Sequence, residues 1–533
     1  MEASGLMKTP IPFVMMGLYI IVIAVLSYRT VLAAKLKRNN TRQNFEDFYT
    51  GNKSMSAMVV GLLTIVTFYS GTTFTGRVGF FYNYGVVALT TLFSSVASGV
   101  IMFFLAEKVW PISKKYHCST LSDLLEFRYQ SRYIKLLTAV IIVSFNIIWL
   151  ITEIKTLGII VNIASGAAIP ATVGSGLMFA VIIAYVCTGG VRSVAAVDSF
   201  SSVIMLVGSV VAVAFIMIQF YQGDISGMFA ASLSESPKLW TVSDEGVYGY
   251  TYWFSSVVVS TIVMLVYPSN YMSICMGKSV KAVKKASLAA ALSGPWLFIY
   301  GIIAAAAIGL GTKGITIQNP EAALLEMISY SGNGLMLGVV TTTVLAASLG
   351  TLDSTLISLS GILSNDIYVN VWNIRNRNAC IGAVSDEGKR VNVKEVKAGK
   401  DVMITRFFIL LLGGTAYILS LKQLPLLVLM ANYASNGLLQ IVPAVIGGMY
   451  WKKATPKAAA VSMISGTGFY LLLDTIKNVV FNGAPDFMGG FFLGLPALLF
   501  GGAVFIITAE LTYRNAYADE KKYEKVLWAF FGK

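Results

Sequence analysis

The sequence is poor in the residues that soluble chemistry uses. It holds one histidine and four cysteines in 533 residues. His117 lies in a basic loop, and Cys118, Cys187, Cys275 and Cys380 lack metal-ligand spacing. A histidine-based metal or haem site is thereby excluded, and the cysteines read as small apolar fillers. Charged residues make up only 12% of the chain, against about a quarter in soluble proteins. No hydrophilic stretch is long enough for a soluble domain; the longest runs over 372–402. The intramembrane histidine, cysteine or paired carboxylates that an enzyme would need are not evident, and no nucleotide-binding loop occurs. The chain reads as neither an enzyme nor an ATP-driven machine, and no cofactor is expected.

Apolar length is what the sequence has. Apolar residues are 56% of the chain, and mean hydropathy is +0.72. A bilayer core of about 30 Å needs roughly 20 apolar residues per crossing, and about thirteen stretches qualify. They lie near 10–33, 57–82, 85–107, 136–162, 168–188, 199–220, 250–273, 286–311, 334–363, 403–421, 424–450, 457–476 and 488–511. The first is too long, and lacks the basic leader, of a cleaved signal peptide. The fold class is an all-α integral membrane protein, one polytopic domain over 1–533 in a lipid bilayer.

The net charge of +14 would suit nucleic acid, but its distribution excludes that partner. Lys35, Lys37, Arg38, Arg42 and Lys53 follow the first span, and Lys108, Lys114, Lys115, Arg128, Arg132 and Lys135 follow the third. Lys278, Lys281, Lys284 and Lys285 follow the seventh, and Lys452, Lys453 and Lys457 the eleventh. Every second loop is basic, whereas Asp224, Glu235, Asp244 and Glu245 mark the loop after the sixth span. This positive-inside pattern gives a multi-pass cell-membrane protein with its N-terminus outside and its C-terminus in the cytoplasm.

Two spans are rich in small and hydroxylic residues: GLLTIVTFYSGTTFTGRVGFF over 61–81 and TTTVLAASLGTLDSTLISLSG over 341–361. Such residues allow close helix packing. Gly71, Gly76 and Gly79 among Ser70, Thr72, Thr73 and Thr75 also let a segment leave helical geometry, freeing carbonyls for an ion or solute. Intramembrane charges are costly and mark function; here they are Arg77, Glu153, Lys155, Asp198 and Asp353. Three of them have a plainer reading. Lys155 can snorkel outward, Glu153 can pair with another helix, and Asp198 can cap a helix start.

Five segments in order resemble the sodium/solute symporters of the sodium–glucose and sodium–proline type. They are FEDFYTGNKSMSA (45–57), YSGTTFTG (69–76), TGGVRSVAAVD (188–198), LGTLDSTLISLSG (349–361) and VPAVIGGMYWKKATPKAA (442–459). The resemblance covers nearly the whole chain. It implies a leucine-transporter-like core of two inverted five-helix repeats, about 57–220 and 250–450, with flanking helices 10–33, 457–476 and 488–511. It implies a sodium site from the carbonyls of Val66, Tyr69 and Ala347 and the hydroxyl positions Gly350 and Thr351. Gly350 departs from the pattern by lacking the hydroxyl, so restoring it as Gly350→Ser is expected to tighten sodium. Asp198, with Thr351 and Ser354, falls where some members have a further sodium site; the carboxylate could equally serve a proton. The implied solute positions are Ser70, Thr73, Trp149, Asn270 and Ser435. Thr73 stands where sugar-binding members have glutamine, which disfavours a sugar. Arg77 suits a carboxylate or, alternatively, an acidic partner in an outer gate.

The resemblance points to secondary active, sodium-coupled symport into the cell of a small organic solute, such as a carboxylate or amino acid. A proton-coupled or uncoupled transporter of the same fold is the alternative. A channel would show a repeated filter or charge ring, and a sensor an appended domain; neither is present in the sequence.

Overall fold

The computed structural model describes residues 9–37, 45–242, 248–369, 398–422, 425–484, 487–516 and 520–531. Cys380 and most of the 372–402 stretch lie outside them. Among the described residues the chain is helical, with no strand beyond one isolated backbone bridge. In chain order the helices are α1 (Ile11–Lys37), α2 (Ala57–Phe68), α3 (Gly71–Phe74), α4 (Gly76–Tyr84) and α5 (Thr91–Tyr116). Then come α6 (Arg132–Ala164), α7 (Ala171–Gly189), α8 (Val191–Tyr221), α9 (Tyr250–Ile262) and α10 (Pro268–Met276). Next are α11 (Val280–Leu292), α12 (Phe298–Gly309), α13 (Gly334–Gly361), α14 (Ala398–Ser420) and α15 (Leu427–Leu438). The chain closes with α16 (Val442–Tyr450), α17 (Pro456–Val479), α18 (Gly494–Ala516) and α19 (Glu520–Phe531).

Eleven described helical stretches are long and apolar enough to cross a membrane, against the thirteen spans expected. Breaks account for the difference. The expected second span is cut after Phe68, and its second half runs on into α5; the expected eleventh is divided into α15 and α16.

Burial sorts the helices into layers. In α13 the most apolar window is 83% buried, whereas in α1 and α18 it is 28%. The plain aliphatic helices therefore face outward, and the hydroxyl-rich α13 is the axis around which α1, α6 and α8 pack. A central helix in apolar surroundings must satisfy its own polar groups. Thr341 Oγ1 donates to Leu337 O at 2.7 Å, and Thr355 Oγ1 donates to Thr351 O at 2.7 Å.

Two breaks shape the interior. α2 starts at an N-cap, with Val59 N donating to Ser56 Oγ at 3.4 Å. It ends at Tyr69 (φ −94°, ψ 64°), followed by extended Ser70. Gly71 is required there, because a Cβ would lie 1.6 Å from Ser348 Oγ of α13 and 2.9 Å from Thr156 of α6. The second break falls at Val266 and Tyr267, where Pro268 opens α10. Proline removes a backbone donor and forces the preceding residue out of helical geometry. The halves α2 and α10 are tied at one end by Met55 N donating to Met276 O (3.0 Å) and Lys278 N to Met55 O (2.9 Å).

The basic face is partly neutralised from within. Arg128 is fully buried and donates through Nε to Gly448 O at 2.6 Å, closing the end of α16. Lys135 Nζ lies 2.6 Å from Asp123, 3.2 Å from Glu126 and 3.5 Å from Asp366. Arg192 holds Asp47 at 2.9 Å. In α19, Val526 and Phe530 are buried while Trp528 is 57% exposed, so the helix lies with one face on the bundle. Cys118 and Cys275 are buried and form no disulfide among the described residues.

Candidate functional site

The two breaks face each other across the bundle. Phe68 and Tyr267 bring their rings to 6.4 Å, and Trp149 of α6 meets Tyr267 edge-on at 6.3 Å. Around this aromatic group lie buried polar atoms with no partner among the described residues: Thr73 Oγ1, Arg77 Nη1, Trp149 Nε1, Glu153 Oε2 and Ser348 Oγ. Buried polar atoms are nearly always hydrogen-bonded. Several orphans on helices α3, α4, α6 and α13 around one pair of breaks mark a place where something else supplies the partners.

Glu153 meets the break directly. Thr72 Oγ1 donates to Glu153 Oε1 at 3.2 Å and lies 2.5 Å from Ser70 Oγ. The Ser70 hydroxyl and the N–H groups of Gly71 and Thr72 face the same carboxylate. Arg77 lies within electrostatic reach of Glu153, Tyr69, Tyr267 and Tyr300, but it forms no ion pair among the described residues. Lys155 is half-buried and lies within electrostatic reach of Glu321. Burial raises the Glu321 carboxyl above the ordinary range, while Leu427 N, donating at 2.7 Å, and Lys155 pull it back.

One turn deeper, Thr351 Oγ1 has three carbonyls around it: Val66 O at 3.1 Å, Thr67 O at 3.4 Å and Ala347 O at 3.4 Å. A hydroxyl amid backbone carbonyls is a suitable oxygen set for a hard cation. The structure thus brings Val66, Ala347 and Thr351 together and places Tyr69 at the adjoining break. Gly350 is closely covered: a Cβ would lie 2.7 Å from both γ-methyls of Val66 and 3.1 Å from Asp198 Oδ1. The expectation that Gly350→Ser tightens sodium is therefore reversed, because Val66 occupies the space that a serine needs.

Asp198 does not cap a helix. α8 begins at Val191, so Asp198 stands two turns inside it and is fully buried. Ser354 Oγ donates to Asp198 Oδ2 at 3.0 Å, while Oδ1 has no partner. Asp353 accepts from Tyr185 OH at 2.6 Å and from Ser354 N at 2.6 Å, and its carboxyl faces that of Asp198. A paired intramembrane carboxylate, not evident in the sequence, is thus present; its members come from α8 and α13.

Two expected solute positions are otherwise engaged. Asn270 Nδ2 donates to Met264 O at 3.0 Å and Oδ1 accepts from Ser98 Oγ at 3.1 Å, so its amide stabilises the second break. Ser435 Oγ donates to Ala431 O of its own helix at 3.0 Å. Beyond the central site, α15 lines a cavity of about 530 Å³ with Tyr252, Tyr433, Tyr470, Asp474 and Phe492. Sequence reading missed Tyr267, Tyr185 and Ser348, and it named Thr72 only as part of the hydroxylic cluster. Tyr267 had a signal in the proline that follows it within an apolar span, and Ser348 and Thr72 lie in the two hydroxyl-rich stretches, whereas nothing marked Tyr185.

Comparison with known proteins gives a consistent picture. The sequence model of the sodium:solute symporter family matches residues 48–466. An uncharacterized symporter, YodF, of Bacillus subtilis (strain 168) is 21% identical over 434 residues, covering 80% of this chain and 81% of the relative. The sodium/pantothenate symporter of Escherichia coli (strain K12) is 23% identical over 476 residues, covering 87% and 92%. The structure of a Na+-coupled sialic acid symporter in a substrate-bound outward-open state superposes with a TM-score of 0.71 at 16% identity, covering 94% of this chain and 98% of that one. That likeness shows the shared leucine-transporter-type fold.

Proposed function

Because the chain belongs to the sodium:solute symporter family, and so couples sodium to the movement of a small organic solute, we propose that its solute is a carboxylate held by Arg77. The observation that carries this reading is the half-buried Arg77 beside the first helix break, whose Nη1 is buried and has no partner among the described residues. A guanidinium in apolar surroundings needs an anion, a carbonyl or water. Its planar fork matches a carboxylate through paired hydrogen bonds. A gate pair would supply an acidic partner instead, and none reaches Arg77 among the described residues. Two of the similar proteins are named for organic acids, pantothenate and sialic acid, which supports the same chemistry.

Sodium binds among Val66, Tyr69, Ala347 and Thr351, with Asp198 and Ser354 forming a second oxygen cluster beside it. The ion would neutralise oxygens otherwise left facing one another, and so join α2 to α13. The solute lies against Ser70, Thr73, Trp149 and Arg77. Sodium and solute thus meet on opposite sides of one break, which gives a physical route for coupling. The repeats over about 57–220 and 250–450 rock around this midplane site, and the basic face is cytoplasmic. A thermal-shift screen of small carboxylates against their uncharged carboxamides, with and without sodium, tests the reading. Stabilisation by a carboxylate in sodium, and not by its amide, is expected. A neutral solute as the best stabiliser would reject it.

A further inference from the structure

The carboxylate of Glu153 is half used. One oxygen accepts from Thr72 at 3.2 Å, and the other, in a residue 1% exposed, has no partner. Glu153 caps the broken helix with the groups of residues 70–72 that face it, and this still leaves one buried oxygen without its hydrogen bond, at a cost in the interior. Lys155, the nearest cation in sequence, does not supply the missing partner, since Glu153 Oε2 has none among the described residues. Arg77 does not supply it either, although the two charges feel each other. Two opposite charges, each with a buried atom that has no partner among the described residues, are held near but apart, although direct pairing would relieve both. Tyr267 lies within reach of both. On the side of Glu153 the wall is aromatic: Trp149 stands one helical turn earlier on α6 with its ring edge-on to Tyr267 at 6.3 Å. A carboxylate beside aromatic faces is a suitable receptor for an ammonium group, through a charge-assisted hydrogen bond and cation–π contact.

We propose that Glu153 is a specificity-determining residue that binds an ammonium group of the solute, so that the solute is a zwitterion spanning Glu153 and Arg77. This rests on the carboxylate reading of Arg77 and extends it. The buried carboxylate and guanidinium have the opposite polarity to the solute's ends, and bridging them replaces two missing partners at once. The arrangement selects against simple carboxylates, which leave Glu153 unpartnered, and against dicarboxylates, which meet it with like charge.

The test measures ligand-induced thermal stabilisation and affinity on the purified full chain in sodium. The probes are pentanoate, 2-hydroxypentanoate, pentylamine and the 2-, 3- and 5-aminopentanoates, which vary the distance between charges. The wild type should bind at least one aminopentanoate roughly tenfold or more tighter than pentanoate, as one added charge-assisted contact implies. Glu153→Gln, which keeps the shape and removes the charge, should abolish that preference and pentylamine binding while retaining stabilisation by sodium. Glu153→Asp, charged but one methylene shorter, should keep part of the preference and serves if the glutamine variant fails to fold. A preference that survives Glu153→Gln overturns the proposal, as does a wild type that favours pentanoate or the hydroxy acid over every amine. Failure of the carboxylate reading looks different. Arg77→Lys would then leave pentanoate affinity unchanged, while pentylamine binding would still depend on Glu153.

Discussion

Removing the Thr351 hydroxyl should weaken sodium activation without unfolding the protein. The hydroxyl lies 3.1 Å from Val66 O and 3.4 Å from Thr67 O and from Ala347 O. It is the one side-chain oxygen in that group, since position 350 is glycine. Without it, the ion keeps its carbonyls but loses one ligand in a buried place where water cannot substitute; Thr351 is 1% exposed. An unmade polar contact of this kind costs about 1–3 kcal/mol, or roughly 5- to 150-fold in half-saturating sodium. Thr351→Val keeps the shape and should show the full loss. Thr351→Ser keeps the hydroxyl and should stay near wild type. The assay is uptake of a labelled solute into proteoliposomes as external sodium is varied, with the thermal shift caused by sodium as a transport-independent check. Sodium activation unchanged in Thr351→Val would refute the placement of the ion.

Further outcomes follow from particular residues. Gly350→Ser should raise half-saturating sodium and lower the melting temperature, because its Cβ meets Val66 at 2.7 Å; a tightened sodium response would show that Val66 yields. Cysteine at position 235 should react with an impermeant thiol reagent on intact cells and cysteine at 281 should not; the opposite pattern would reverse the orientation. The His117–Glu46 pair, 3.3 Å apart, should give a pH-dependent contribution to stability. The hydrogen bond to Glu46 raises the His117 pKa, and the same bond, against burial, lowers Glu46 to about 2. Stability from Glu46 is present above its ordinary value of about 4.3 and lost as pH falls towards 2; stability from His117 is present below its ordinary value of about 6.5 and lost as pH rises through the raised one. Melting temperatures of wild type and His117→Ala should therefore differ most between about pH 4.3 and 6.5 and converge at alkaline pH. A difference that grows with alkalinity would contradict the pairing.

The fold was legible because membrane insertion imposes a strong, local code. Apolar length marks the helices, and basic loops mark one face. The first break was legible for the same local reason, since Gly71 stands among hydroxylic residues where α13 presses close. What the sequence hid lies between helices. Nothing in the local pattern tells that Glu153 on α6 reaches the break, or that Asp198 and Asp353 meet from two helices. Asn270 and Ser435 show the converse. Their residue types suit a solute, yet their side chains are engaged with Met264, Ser98 and Ala431. Arg128 and Lys135 read as loop charges, but tertiary packing buries them against Gly448, Asp123, Glu126 and Asp366.

We infer that Arg77 holds the solute's carboxylate beside a separate sodium site. It is tested most directly by sodium-driven uptake against solute concentration in wild type and Arg77→Lys, using the best stabiliser from the carboxylate screen. Lysine keeps the charge but not the planar fork. The half-saturating solute concentration should rise roughly tenfold or more, as loss of a charge-assisted hydrogen bond of about 1.5–3 kcal/mol requires, while half-saturating sodium stays put. An unchanged half-saturating solute concentration with altered turnover would instead make Arg77 a gating residue and contradict the account.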